Sequence, residues 1–287
     1  MNYKIWYKRF LENMLERYQA LEKSVSILIQ GPLHERMRES IPLYLDIVKN
    51  HQHFQPKLKN NPYSKDSFLG NLVISYWDND DESIINDYKS NQDIFLLKNS
   101  QKEVNEHLYK KTGRGSAPWV YQNHSSYYGT KSCTGHLCIK VRSDEFYPSL
   151  ESFYVDIKNE NEKPGEVGKY TTCDIFFRKD SVEKFHPSDH IIGGPTYLLK
   201  SGFQTSLYRC KQKIPEYIKF PEQLICRSFL ESRNVDVKDY RSAEIMKKYF
   251  KIYPIKNMPN SIWTCSYRNY APLKGTEPGW LHDINQI

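Results

Sequence analysis

The chain has 287 residues, 39% of them hydrophobic and 26% charged, which describes a globular protein with a substantial core and excludes a disordered one. No apolar run approaches the ~20 residues that cross a bilayer, and the amino terminus lacks the apolar stretch of a signal peptide, so the expectation is a cytoplasmic protein with at most peripheral membrane contact. A net charge of +7 favours a polyanionic ligand, while the scatter of the lysines argues against a nucleic-acid-binding arm.

Trp6, Phe10, Met14, Tyr18 and Leu21 recur at helical spacing, so residues 3–22 are predicted to form an amphipathic helix packed on the domain. Ser24–Ile29 reads as a strand, Gln30-Gly31-Pro32 as a turn, and Glu35–Asn50 as a helix with Met37, Ile41, Leu45 and Val48 on one face. The stretch from His51 to Asp66 is rich in Asn, Pro and Lys and reads as a loop. Asn71–Tyr76 and Asp93–Leu97 read as further strands, and the alternation with helices argues for βαβ units and a parallel sheet. Lys111–Pro118 reads as a connecting loop without the ending of a P-loop, Trp119–Gly129 as a polar helix and Leu137–Val141 as a buried strand. Beyond Pro148, which permits a helix start, Thr172–Arg178 and Ile191–Leu199 are apolar enough for strands or a short helix. Pro221–Glu231 reads as a helix with proline in its first turn. The expected organisation is an N-terminal helix over 1–23 and one domain over 24–287, with a nucleotide-binding half over 24–147 and an acceptor half over 148–287.

The densest chemistry follows the strand 137–141. Its apolar run stops at Arg142, Asp144 and Glu145, the position where open α/β sheets bind ligands. Adjacent carboxylates there can hold a divalent cation and the arginine can face a phosphate, although a plain strand end with solvated charges has the same composition. The six cysteines show no paired framework and read as buried thiols, and Cys133, His136 and Cys138 are spaced too tightly for a zinc site.

Five segments occur in an order that carries a family resemblance: Ser26 to Pro32 (SILIQGP), Ile74 to Asp78 (ISYWD), Lys140 to Glu145 (KVRSDE), Ser188 to Gly194 (SDHIIGG) and Pro221 to Gln223 (PEQ). Together they resemble the WavE-type glycosyltransferases associated with bacterial surface polysaccharide synthesis. That resemblance implies a GT-A-like, Rossmann-like, mostly parallel sheet flanked by helices. It also implies a nucleotide-sugar donor, a UDP-sugar favoured, together with a glycan or a protein- or lipid-linked acceptor, and Mn²⁺ or Mg²⁺ as cofactor.

On the residues that match, the resemblance implies that Gln30 and Gly31 border the nucleoside and that Trp77 and Asp78 contact base or ribose. A buried tryptophan with a helix-capping aspartate would leave the same sequence. Asp144 and Glu145 fall at the family's acidic motif. Arg142 replaces the first carboxylate of the usual Asp-x-Asp, leaving metal dependence open, and His282 is a further candidate metal ligand. Asp189 and His190 would face sugar or acceptor. Glu222 is the candidate base, since glycosyl transfer needs the acceptor hydroxyl deprotonated as it attacks; a separate base points to inversion. The helix macrodipole alone would also favour Glu222 where it stands. Gln122 and Ser125 match another family segment loosely, with Tyr121 where an arginine is expected. A metal-dependent phosphoryl-transfer enzyme or nuclease, and a binding protein for glycan or nucleic acid, remain alternatives.

Overall fold

The computed structural model describes residues 24–51, 53–55, 67–108, 117–162, 168–181, 183–212 and 214–263. The helix expected over 3–22, most of the loop 111–118, and His282 lie outside them. In chain order the elements are β1 (Val25–Gln30), α1 (Met37–Asn50), β2 (His53–Gln55), β3 (Ser67–Leu69), β4 (Leu72–Trp77), β5 (Ile94–Asn99), α2 (Gln101–Leu108), α3 (Ala117–Lys131) and β6 (Leu137–Arg142). There follow α4 (Leu150–Asn161), β7 (Tyr170–Cys173), β8 (Ile192–Pro195), α5 (Thr196–Cys210), α6 (Pro221–Glu231), α7 (Ser242–Tyr249) and β9 (Phe250–Tyr253).

Seven strands form one mixed sheet in the order β5-β4-β1-β6-β8-β7-β9. β5, β4, β1 and β6 are mutually parallel; β8 is antiparallel to both β6 and β7, and β7 pairs parallel with β9. This is the mostly parallel α/β sheet expected of a GT-A-like chain. β2 and β3 form a separate antiparallel pair, β2 inside the stretch expected to be loop and β3 directly after it.

The central strands are continuous apolar runs because helices cover both faces of the sheet. Alternate residues of one strand serve opposite sides. Ile27 and Ile29 join Ile139 and Val141 under α1 and α4, where Ile41, Tyr44, Phe153 and Ile157 are buried. Leu28, Val73 and Cys138 face α5, α6 and α7, through Leu199, Phe203, Phe229 and Met246. Helix α3 is different: it has no apolar stripe, yet Asn123, Ser125, Ser126 and Thr130 are buried. It reaches the sheet at Gly129, where a Cβ would lie 2.5 Å from the Leu28 side chain.

The expected segments 172–178 and 191–199 are strands only at Tyr170–Cys173 and Ile192–Pro195. Leu198 and Leu199 already belong to α5, where Leu199, Phe203 and Leu207 line up at four-residue spacing. That stripe was present in the sequence, but Pro195 caps a strand and starts a helix at one point, so the two periods merge.

Candidate active site

From β1 the chain moves outward to β4 and β5, then returns to place β6 on the other side of β1. The carboxyl ends of β1 and β6 therefore flank the topological switch point, where open α/β sheets leave a crevice. Gln30 and Arg142 are register partners across it, and Gln30 pairs with Ser75 on the other side. A cavity of about 570 Å³ opens there, with Gln30, Gly31, Trp77, Gln122, Arg142 and Asp144 among its walls. Five of these six are residues whose place in a ligand site was expected from sequence.

Each wall has a local cause. Gly31 has φ +131°, and a Cβ on it would meet the Ser143 hydroxyl oxygen at 2.6 Å. Only glycine makes this turn without strain. Gln30 is buried, and its amide donates to Ser125 Oγ at 2.8 Å, tying β1 to α3. Asp80 Oδ2 accepts from the backbone N–H of Leu33 (3.0 Å) and of Trp77 (2.9 Å), holding the two strand-end loops together. Trp77 stands edge-on to Tyr121 with ring centroids 4.8 Å apart; only 3% of the residue is exposed, so it is a wall with little open ring. Asp78 accepts from the backbone N–H of Gln101 at 3.2 Å, at the start of α2. It is exposed and acts as a helix cap, and it is not among the lining residues.

Asp144 and Glu145 are adjacent in sequence and both approach Arg142 Nε, which lies 3.4 Å from Glu145 Oε1, but their remaining partners differ. Asp144 takes both its oxygens to Arg142: Nε donates to Oδ1 at 2.9 Å and Nη2 to Oδ2 at 2.7 Å. Glu145 is fully buried; its Oε2 accepts from the Tyr147 hydroxyl at 2.7 Å and its Oε1 pairs with His190 Nδ1. Burial pulls the Arg142 pKa down, but the hydrogen bond to Asp144 and the nearby Glu145 charge outweigh it and hold the guanidinium well above its ordinary value. For His190, burial lowers the pKa, and the Glu145 carboxylate outweighs that to raise it. A divalent cation held by this acidic pair would need two carboxylates with open oxygens converging on the crevice. Here one is clamped by an arginine and the other turned into the core, so the residues present do not fit the ion that the resemblance implies.

A second charged group lies behind Gln122. Its amide donates to Asp189 Oδ2, so one residue touches both the crevice and the carboxylate. Lys140, in the middle of β6 and only 1% exposed, donates from Nζ to the Asp189 backbone oxygen at 2.6 Å. Burial pushes the Asp189 pKa up, yet Lys140, His190 and Arg142 outweigh it and hold Asp189 below its usual value. Glu222 goes the other way. Burial first, and the Asp189 charge second, push it up to about 8.

Glu222 stands in the first turn of α6, whose first residue is Pro221. Gln223 fixes the neighbouring loop: its amide donates to the Lys184 carbonyl at 3.0 Å, and its Oε1 accepts from the Lys219 N–H at 2.8 Å. That loop sets His186 Nε2 3.7 Å from Glu222 Oε2, which has no hydrogen-bond partner among the described residues.

The structure thus brings Gln30, Gly31, Trp77, Arg142 and Asp144 to one crevice, and places the buried Glu145, Asp189 and His190 with the part-buried Glu222 in a charged group that Gln122 connects to it. Lys140, Ser143 and Tyr121 were not expected to contribute. For Lys140 a signal existed, a lysine inside an otherwise apolar strand. Tyr121 was noted only as a departure from the arginine expected there.

No protein-family profile matches the chain, and no curated protein matches it in sequence. Among solved structures it is similar to mouse xyloside xylosyltransferase 1 in its apo form, at 8% identity and a TM-score of 0.34, over 80% of this chain and 86% of that one. It is also similar to S. aureus TarS in complex with UDP, at 11% identity and a TM-score of 0.35, over 77% of this chain and 69% of that one.

Proposed function

We propose that the protein is a nucleotide-sugar-dependent glycosyltransferase that seats its donor in the crevice between the carboxyl ends of β1 and β6. One observation carries the reading: Gln122 lines the cavity at the switch point and donates to Asp189, and Asp189 and the part-buried Glu222 are pushed in opposite directions, Asp189 towards the ionised form and Glu222 towards the neutral one. Pairs of titratable groups driven apart in this way mark acid–base assignments. The five ordered segments similar to WavE-type enzymes supply these same residues, and agree with a glycan acceptor and a UDP-sugar donor.

In this reading Glu222 is the base. With its pKa raised to about 8 it is a stronger base than an ordinary carboxylate. The acceptor hydroxyl loses its proton to Glu222 as its oxygen bonds to C1 of the sugar, and the bond from C1 to the diphosphate breaks with the electron pair leaving on phosphate oxygen. One displacement by a separate base inverts the anomeric centre. A nuclease or phosphoryl-transfer reading gains nothing from the geometry, because both oxygens of Asp144 are taken by Arg142 and Glu145 is buried against Tyr147, His190 and Arg142.

The test is a thermal-shift panel of UDP, GDP and CDP, the matching monophosphates and a DNA oligonucleotide. A nucleoside diphosphate at ~100 times its dissociation constant adds about 2.7 kcal/mol to stability, and more than its monophosphate does. A steeply salt-dependent response to DNA, with none to any nucleotide, contradicts the reading.

A further inference from the structure

We propose that the crevice binds a nucleoside diphosphate without a divalent cation, and that the open edge of the Arg142 guanidinium does at the diphosphate what such a cation would do. The inference rests on the donor reading above and goes beyond it by assigning the diphosphate contact.

A guanidinium is planar and carries five N–H donors on two useful edges. Asp144 occupies the edge formed by Nε and Nη2. The edge formed by Nη1 and the second Nη2 hydrogen makes no hydrogen bond to protein among the described residues, and Arg142 lines the cavity with 31% of its side chain exposed. That edge has the spacing to grip two oxygens of a phosphate or diphosphate. Asp144 then has a role other than metal ligation: it fixes the guanidinium plane, so little rotamer freedom is lost when the ligand arrives.

Two further observations point the same way. Arg36 Nη1 donates to the Asp144 backbone oxygen at 3.1 Å, which brings a second guanidinium to the same rim. Among the described residues no three His, Cys, Asp or Glu side chains come together as a metal site, and the neighbouring Glu145 already serves Tyr147, His190 and Arg142 Nε. As the C1–oxygen bond breaks, the electron pair settles on the distal phosphate, and the Arg142 N–H donors receive that charge. The acceptor oxygen bonds to C1 and its proton passes to Glu222, so atoms and charge balance without any co-reactant.

The deciding experiment is calorimetric titration of UDP, GDP and CDP into the whole protein, once in EDTA and once in Mn²⁺. The expected result is binding of at least one of them, with dissociation constants that agree within about twofold in the two buffers. Arg142→Lys keeps the charge but loses the fork, and Arg142→Ala loses both; each should weaken binding about tenfold or more in EDTA. Near-parental binding by a folded Arg142→Ala protein overturns the assignment. Should that variant not fold, near-parental binding by Arg142→Lys in EDTA overturns the assignment, and the comparison of buffers on the parent protein decides metal independence. A gain of about tenfold or more on adding Mn²⁺ overturns the proposal while leaving the donor site standing. If none of the three binds in either buffer, the donor reading itself fails and the inference falls with it.

Discussion

Around Arg142 the charges are partly exposed and paired, each guanidinium edge opposite a defined partner or an open cavity. Around Asp189 they are buried and graded, with Lys140 and His190 holding one carboxylate ionised while that carboxylate helps keep Glu222 neutral. Both regions meet at Gln122, which lines the first and donates to the second. The lesson is that one sheet end performs two tasks by differing in water access. A rim charge binds a polyanion because it remains available, and a buried carboxylate becomes a usable base because burial raises its pKa.

The sharpest way to break that distinction is at Glu222. Glu222→Gln should lower transfer by roughly 10²–10⁴-fold while donor affinity stays near parental, since the interaction belongs to the transition state. The parent rate should rise with pH and level off above about 8, and the variant should lack that limb. Equal losses in donor affinity and turnover would place Glu222 in the crevice rather than behind it.

The same residue sharpens the comparison through stability. Its folded pKa of about 8 lies above the ordinary value of 4.5, so its stabilising contribution is complete below about pH 4.5 and is lost as pH rises to about 8. Asp189 is depressed, so its contribution is present above its ordinary value of 3.8 and is lost only as pH falls below that. Thermal unfolding of the parent should therefore weaken from pH 5 to pH 8 relative to Glu222→Gln. Parallel curves would show that Glu222 is not held neutral.

At the rim, Gly31→Ala places a side chain at φ +131° and against Ser143, which should cost about 1–3 kcal/mol and weaken nucleotide binding. The smallest effect belongs to Asp78. Removing this cap with Asp78→Ala should cost about 0.5–2 kcal/mol in stability and leave nucleotide affinity unchanged. A large loss of affinity without loss of stability would make Asp78 a ligand contact after all.

What the sequence disclosed follows the same division. β1, β4 and β6 were legible because a strand buried on both faces is one apolar run, and the polar residue that ends it marks the sheet edge. Arg142 was marked in this way, while Gln30, Gly31 and Trp77 were expected from the family resemblance. Helix α6 was legible from Pro221 and its apolar spacing. The short strands β7 and β8 were blurred because four residues do not establish a period, and Ile192 to Pro195 run straight into α5. The divergence of Asp144 from Glu145 was invisible, since neighbours in a turn point wherever their partners lie. The pairing of Asp189 with Glu222 was likewise hidden, because it joins a loop before β8 to the start of α6 through burial alone.

The most direct test is a crystal structure of the protein with UDP. The diphosphate is expected between Gly31 and the Nη1–Nη2 edge of Arg142, with Arg142 still clamped by Asp144 and the base on the Trp77 side of the cavity. A nucleotide bound away from the carboxyl ends of β1 and β6, or a diphosphate that makes no contact with Arg142, would contradict the central claim.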